Sequence, residues 1–142
     1  MSQKVMLQLY CRELHKQTLL ELDALNVELA SSLSYKNWVN TKRALKSEEV
    51  ADSVWIKSCT GGYITELHFQ SDGTLTEFRL FDRFKTVGTW QEKEGLLHVT
   101  IVKGDNQYQF IIVGNADVNI HSAVEYKNGE LHSYLKLAQV KS

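Results

Sequence analysis

The chain contains 142 residues, a length typical of one compact domain with a substantial core. Apolar residues make up 43% and charged residues 23%, values that exclude an intrinsically disordered or low-complexity chain. Sixteen Lys and Arg balance seventeen Asp and Glu, so composition offers no basic surface and we expect no nucleic-acid partner.

The first residues lack the pattern of a secretion signal. The apolar run after Lys4 is interrupted at Gln8, well short of the roughly 7–15 residues that such a signal requires. Only Cys11 and Cys59 are present, which predicts reduced thiols and no disulfide framework. The longest apolar runs, such as 110–113, are too short to cross a bilayer. We therefore expect a cytoplasmic protein with no membrane partner.

The segment 1–52 is predicted to be helical. It contains no glycine, and residues of one helical face recur at spacings of three and four: Leu7, Cys11, Leu14, Thr18, Leu22, Leu25, Leu29 and Leu33. One interpretation is a single helix of about 28 residues that overhangs the sheet and forms a homodimer. The alternative is a helix that breaks, folds back and covers the sheet with its leucines. A second, weaker helix is predicted from Tyr35, Trp38, Val39 and Leu45, with Ser47 capping one further turn.

From Val54 onward the apolar period changes to two, and turn signals recur at short intervals. This pattern predicts seven or eight antiparallel strands. The predicted fold class is therefore α+β. We expect a single domain, 1–142, in which the helical segment 1–52 packs on a strongly curved or barrel-like antiparallel sheet formed by 53–142.

The turns predict which residues face each other across the hairpins. A two-residue loop at 72–73 places Leu67 opposite Phe78 on one face and His68 opposite Glu77 on the other. The turn at 104–105 pairs three apolar residues of each strand and so predicts the core hairpin: Leu97 with Ile112, Val99 with Phe110 and Ile101 with Tyr108.

The turn at 128–129 predicts a third hairpin. A two-residue loop there sets Val124 opposite Ser133, with Glu125 facing His132 and His121 facing Lys136 on the other side.

Several of these features resemble small lipocalin-like barrels. The resemblance covers about 53–140 and rests on Trp55 in the first strand, the turn 72–76 (DGTLT), and Gly88-Thr89-Trp90 followed by an apolar strand. It implies an up-and-down barrel with a cup for a small apolar ligand. The order of helices first and sheet second also resembles the cone-shaped folds of scytalone dehydratase and ketosteroid isomerase.

The strand pattern suggests two kinds of site. Aromatic and apolar residues on the inward face are candidates for lining a ligand cup, with core packing as the competing interpretation: Tyr63, Phe78, Trp90, Val99, Tyr108 and Phe110. The pairs His68–Glu77 and His132–Glu125 are weaker candidates for an acid–base dyad, because a carboxylate beside an imidazole orients a general base. The same pairs on a solvent-facing surface are ordinary cross-strand contacts.

Three function classes follow. A non-enzymatic binding protein for a small apolar ligand is favoured, because no convincing catalytic set is present. A helix-mediated interaction or assembly module is the first alternative, and an enzyme that uses a His–Glu dyad is the second. The histidine spacing indicates no metal site, and we expect no cofactor.

Overall fold

The computed structural model describes residues 2–141, and the chain begins with a short helix. Helix α1 spans Gln3–Tyr10 and continues as a π-helical turn, Cys11–His15. The backbone N–H groups of Lys16 and Gln17 both donate to the carbonyl of Cys11, and Gln17 adopts a positive φ of 55°. A residue in the left-handed region ends a helix, so the helical path stops here.

The prediction of one long helix is therefore wrong, and the alternative of a broken segment that folds back is what the structure shows. The chain after Gln17 forms an irregular arm with two 3-10 turns, Leu22–Ala24 and Val27–Ser31. Four leucines of the arm pack, partly buried, against the apolar layer outside the sheet: Leu19, Leu20, Leu25 and Leu29. The prediction that the leucines of the helical face cover the sheet is wrong for Leu14, Leu22 and Leu33, which are exposed. The spacing of three and four therefore does not mark one buried face.

Three short elements lead into the sheet. Helix α2 spans Leu33–Val39 and begins where the Ser32 side chain accepts a hydrogen bond from the backbone N–H of Tyr35. Strand β1, Lys42–Arg43, pairs with the end of a later strand, and helix α3, Ser47–Val50, forms the single turn expected near Ser47. The predicted cap is wrong, because Lys46 occupies the N-cap and Ser47 is the first helical residue. Leu45 lies beyond the second helix and not within it.

The rest of the chain forms a closed antiparallel barrel of eight strands, where the sequence predicts seven or eight strands in a strongly curved or barrel-like sheet. The strands follow one another around the barrel, and the last pairs with the first. They are β2 (Ser53–Cys59), β3 (Ile64–Phe69), β4 (Thr74–Arg79), β5 (Lys85–Lys93), β6 (Leu96–Lys103), β7 (Asn106–Asn115), β8 (Ile120–Lys127) and β9 (Glu130–Lys141). The fold class is α+β.

The predicted register is confirmed in one hairpin and wrong in another. Strands β6 and β7 pair as expected, with Val99 opposite Phe110. Strands β3 and β4 are shifted by one residue, so that Leu67 lies opposite Glu77. The loop between them has three residues, 71–73, and ends in Gly73 with φ of 90°.

The hairpin of β8 and β9 has the predicted two-residue loop but contains a bulge. Beyond the bulge Glu125 lies opposite Ser133, and His132 is the extra residue on β9. The predicted pairing of Val124 with Ser133 is therefore wrong, as is that of His121 with Lys136, which lies opposite Ser122. A bulge of this kind redirects the side chain of its extra residue.

Two apolar layers result from this arrangement. The barrel interior is filled by one cluster that includes Trp55, Leu67, Phe69, Trp90 and Phe110, and Leu45 and Val50 extend it at one end. A second cluster joins α1, the arm and α2 to the outer face of β7, β8 and β9. The N-terminal segment thus covers one side of the barrel.

Candidate functional site

One end of the barrel is closed by the protein itself, and the other end is open. Leu45 and Val50, which belong to the interior cluster, lie on the segment that enters β2 and close the first end. The loops 60–63, 80–84, 104–105 and 128–129 surround the opposite end. A cavity of about 630 Å³ opens there, bordered by residues of β2, β3, β4, β6, β7, β8 and β9.

A buried cluster of charged side chains lies between this cavity and the apolar interior. Glu77 on β4 is only 2% exposed at its side chain and accepts from four donors. These donors are Lys57 Nζ at 2.7 Å, Thr65 Oγ1 at 2.7 Å, Thr86 Oγ1 at 3.0 Å and Lys103 Nζ at 3.3 Å. Each residue lies on a different strand, so the cluster ties five strands together.

Burial and the neighbouring ammonium groups act on Glu77 in opposite directions. Burial alone raises the pKa of a carboxyl, but the charges of Lys57 and Lys103 and the hydrogen bonds from Lys57 and Thr65 outweigh it. The pKa of Glu77 falls to about 2. Glu77 is therefore ionised across the physiological pH range, and both lysines have a counterion.

A second buried carboxylate, Glu125 on β8, holds the histidine of the bulge. Glu125 Oε1 accepts from His132 Nδ1 at 2.9 Å and from Ser133 Oγ at 3.3 Å. His132 is 44% exposed at its side chain and lines the cavity, whereas Glu125 is only 5% exposed. Because the carboxylate accepts from Nδ1, the neutral imidazole keeps Nε2 as its free basic atom.

The rim of the cavity is largely aromatic and also carries the exposed ion pair of Arg79 with Asp82. Phe81 in the loop after β4 is 95% exposed, and Tyr63 in the loop after β2 is 78% exposed. Tyr108 lines the cavity and lies edge-on to the His132 ring. The ammonium group of Lys103 lies over the Tyr108 ring, 5.2 Å from its centroid. The cavity therefore combines a largely aromatic entrance with a charged floor.

The structure separates the residues predicted to line a cup. Tyr63 and Tyr108 border the cavity. Val99 and Phe110 belong to the filled interior, and Phe110 lies below Lys57, whose Nζ is 5.3 Å from the ring centroid. Trp90 lies toward the closed end, where its Nε1 donates to the carbonyl of Gln70 at 2.8 Å.

Phe78 lies on the outer face, contrary to the predicted register. Its ring contacts the ring of His68 and the guanidinium group of Arg83. The one-residue shift of β3 against β4 explains this placement, because it turns Glu77 inward and Phe78 outward.

The two predicted His–Glu pairs have different outcomes. His68 does not contact Glu77 and lies on the outer face of the barrel. Its Nε2 lies 2.6 Å from Glu66 Oε2, which also accepts from Arg83 at 2.8 Å. Glu125 and His132 are in contact as predicted, and this pair faces the cavity. A catalytic role for either pair stays a prediction.

The sequence interpretation missed the lysines of the cluster. Lys57 follows Trp55 at a spacing of two on β2, and Lys103 follows Ile101 in the same way on β6. A charged residue in phase with a buried apolar run is the signal that would have identified them. Within residues 2–141, no group of three or more His, Cys, Asp or Glu side chains is placed to hold a metal ion.

A buried histidine lies away from this cavity. His121 is fully buried inside the barrel, 5.3 Å from the ring centroid of Trp55, and its Nδ1 accepts from the backbone N–H of Asn115 at 2.8 Å. Burial, together with the nearby charge of Arg43, lowers the pKa of His121 to about 4. The residue is neutral at physiological pH and contributes to packing.

The resemblance to lipocalin-like proteins holds at the level of a closed antiparallel barrel of eight strands. None of the helices in the described range 2–141 is long and apolar enough to cross a membrane. Comparisons with protein-family models, curated proteins and solved structures found no match to this chain.

Proposed function

We propose that the open end of the barrel binds a small amphipathic molecule. The observation that carries the proposal is the cavity of about 630 Å³, which has an aromatic rim and a charged floor. Ligand sites in proteins commonly enclose about 300–1,000 Å³ and combine apolar walls with a few placed polar groups. The charged floor favours a ligand with a polar part over the purely apolar ligand expected from the sequence.

The filled interior supports this location for the ligand. Phe110, Leu67 and Trp55 occupy the space below the charged cluster, and each is fully or almost fully buried. A ligand therefore enters only as far as Lys57 and Glu125. The depth of the site is set by the charged cluster, and its entrance is set by the loops that carry Tyr63 and Phe81.

Two neighbouring positions on β2 provide a matched test. Cys59 lines the cavity, whereas Ser58 lies on the alternate face of the strand. The probe is N-phenyl-1-naphthylamine, an uncharged amphipathic dye whose fluorescence rises in apolar surroundings. We expect Cys59→Trp to fill the cavity and weaken dye binding at least about tenfold. The control Ser58→Trp should bind the dye as the wild type does.

The proposal fails if the wild type does not bind the dye. It also fails if Cys59→Trp and Ser58→Trp bind the dye equally well, because the dye then lies elsewhere. Thermal unfolding of both variants shows whether each is folded before its affinity is compared with that of the wild type.

An acid–base enzyme is the second candidate, and the contact between Glu125 and His132 favours it. The carboxylate orients the imidazole, and the ring lies in a cavity with two ammonium groups that would stabilise a developing anion. Nitrogen-15 NMR of the histidine rings tests the requirement for a free basic Nε2. We expect the Nδ1–H tautomer at His132 and the Nε2–H tautomer at His68. A His132 ring with its proton on Nε2 would remove this candidate.

The homodimer remains a prediction without the continuous helical face on which it was based. Leu7 is fully buried within the protomer, and Leu22 lies in the irregular arm.

A further inference from the structure

The two buried carboxylates of the cavity differ in their hydrogen bonding: Glu77 can accept no further hydrogen bond, whereas one oxygen of Glu125 accepts none. Glu77 accepts from four donors, about the number of lone-pair sites that a carboxylate offers. Glu125 receives both of its hydrogen bonds on Oε1. Within residues 2–141, Oε2 of Glu125 has no hydrogen-bond partner although it is buried. A buried acceptor in this state is unfavourable until a donor reaches it.

The nearest cation does not satisfy this oxygen. Lys57 Nζ lies 3.8 Å from Glu125 Oε2, which is beyond hydrogen-bond distance. Lys57 already donates to Glu77 at 2.7 Å and lies over the ring of Phe110. The second lysine, Lys103, is bonded to the other oxygen of Glu77.

The charges at the floor indicate what kind of donor fits. Lys57 and Lys103 carry two positive charges, and Glu77 and Glu125 carry two negative charges, so the four groups sum to zero. A cationic donor at Oε2 would lie beside the ammonium group of Lys57, and an anionic ligand group would face the carboxylate of Glu125. An uncharged donor meets neither repulsion.

We infer that the ligand presents an uncharged N–H or O–H group to Oε2 of Glu125, while its apolar part lies against the aromatic side chains at the mouth. This inference rests on the proposed function and adds the chemical class of the ligand. Tyr63, Phe81 and Tyr108 supply the apolar contacts, and planar aromatic molecules fit them best.

Indole and 1-methylindole are matched probes for this group. Indole donates one hydrogen bond and accepts none through its nitrogen, and methylation removes the donor while adding apolar surface. A hydrogen bond to a charged group contributes about 1.5–3 kcal/mol, which corresponds to at least about tenfold in affinity. We therefore expect the wild type to bind indole at least about tenfold more tightly, measured by shifts of backbone amide signals in NMR titrations.

Two carboxylate variants show where the donor binds. In Glu125→Gln the amide oxygen can keep the hydrogen bonds from His132 and Ser133, which leaves an NH2 donor at the position of Oε2 and should bring the affinity ratio of the two probes close to one. Glu66→Gln is the matched control, because Glu66 also holds a histidine but lies on the outer face. This variant should keep the wild-type ratio.

The outcomes separate the inference from the proposed function. Binding of both probes to the wild type with equal affinity overturns the inference and leaves the cavity as a binding site. An unchanged ratio in Glu125→Gln, or a ratio lost equally in Glu66→Gln, overturns it as well. Absence of binding by both probes overturns the inference, and the dye titration with Cys59→Trp then decides the proposed function separately. The comparison on the wild type alone decides the matter if Glu125→Gln does not fold.

Discussion

Replacing the inner carboxylate, Glu77→Gln, should remove a defined part of the acid sensitivity of the protein. The pKa of Glu77 is lowered from 4.5 to about 2 in the folded state. Between these pH values Glu77 is protonated in the unfolded chain but not in the folded protein. The free energy of unfolding therefore decreases as the pH falls through this window. One pKa unit corresponds to about 1.4 kcal/mol, so the lowered pKa of Glu77 amounts to a loss of about 3 kcal/mol in the free energy of unfolding.

The variant should also be less stable at neutral pH. Removing one partner of a buried ion pair leaves the other uncompensated and typically costs about 3–5 kcal/mol. Here two ammonium groups, those of Lys57 and Lys103, lose the carboxylate. A domain of this size is stable by about 5–15 kcal/mol, so the variant is expected to fold at pH 7 with a clearly reduced margin.

Urea unfolding at a series of pH values measures both effects. The difference in unfolding free energy between the wild type and Glu77→Gln should be largest above pH 4.5 and should shrink toward pH 2. Glu130→Gln, at the exposed start of β9, is the control and should follow the wild type throughout. A constant difference across the pH range, or a loss below about 1 kcal/mol at pH 7, would refute this account of the cluster.

Five further substitutions test the packing and the second acid-sensitive group. Between pH 6.5 and 4, His121 is protonated in the unfolded chain but not in the folded protein, so the wild type should lose about 3 kcal/mol of unfolding free energy as the pH falls through this window. His121→Phe should abolish this loss, and an unchanged pH profile would contradict the expectation. Phe110→Ala should lower the unfolding free energy by about 3–5 kcal/mol through lost burial and a cavity, and a loss below about 1 kcal/mol would show that the ring is not packed. Gly88→Ala should destabilise by about 3 kcal/mol or more, because its Cβ would lie 2.1 Å from a backbone carbonyl oxygen of β6; a shift in melting temperature checks this. Leu7→Asp should unfold the protein and Leu22→Asp should not, and the reverse result in circular dichroism would contradict the assigned burial.

The sequence was sufficient to predict a strongly curved or barrel-like antiparallel sheet, because its strands follow simple alternation. The pairing of Val99 with Phe110 followed from a two-residue loop and an apolar period of two, and the structure confirms this pairing. The helical segment failed for a physical reason. Of the leucines at helical spacing, Leu25 and Leu29 pack along an irregular arm whereas Leu22 is exposed, and spacing alone does not distinguish this arrangement from one buried helical face.

The candidate site was only partly predictable, since it depends on single-residue shifts. Counting two residues instead of three in the turn before β4 moved Glu77 to the wrong face. The contact of Glu125 with His132 was predicted, but its position inside the cavity comes from the bulge that makes His132 an extra residue. Neither the loop length nor the bulge has a decisive signature in a single sequence.

The closure of the barrel has a consequence for the route by which the chain folds. Every pairing around the barrel joins strands that are consecutive in sequence, except that of β2 with β9. Loop-closure entropy opposes this contact more than any hairpin, so we expect it to form late. Until then β2 and β9 are free sheet edges, which are templates for aggregation. Lys57 places an inward-pointing charge on β2, and such a charge discourages pairing with a second chain. The same lysine that supports the cavity in the native state thus protects the open sheet before the barrel closes.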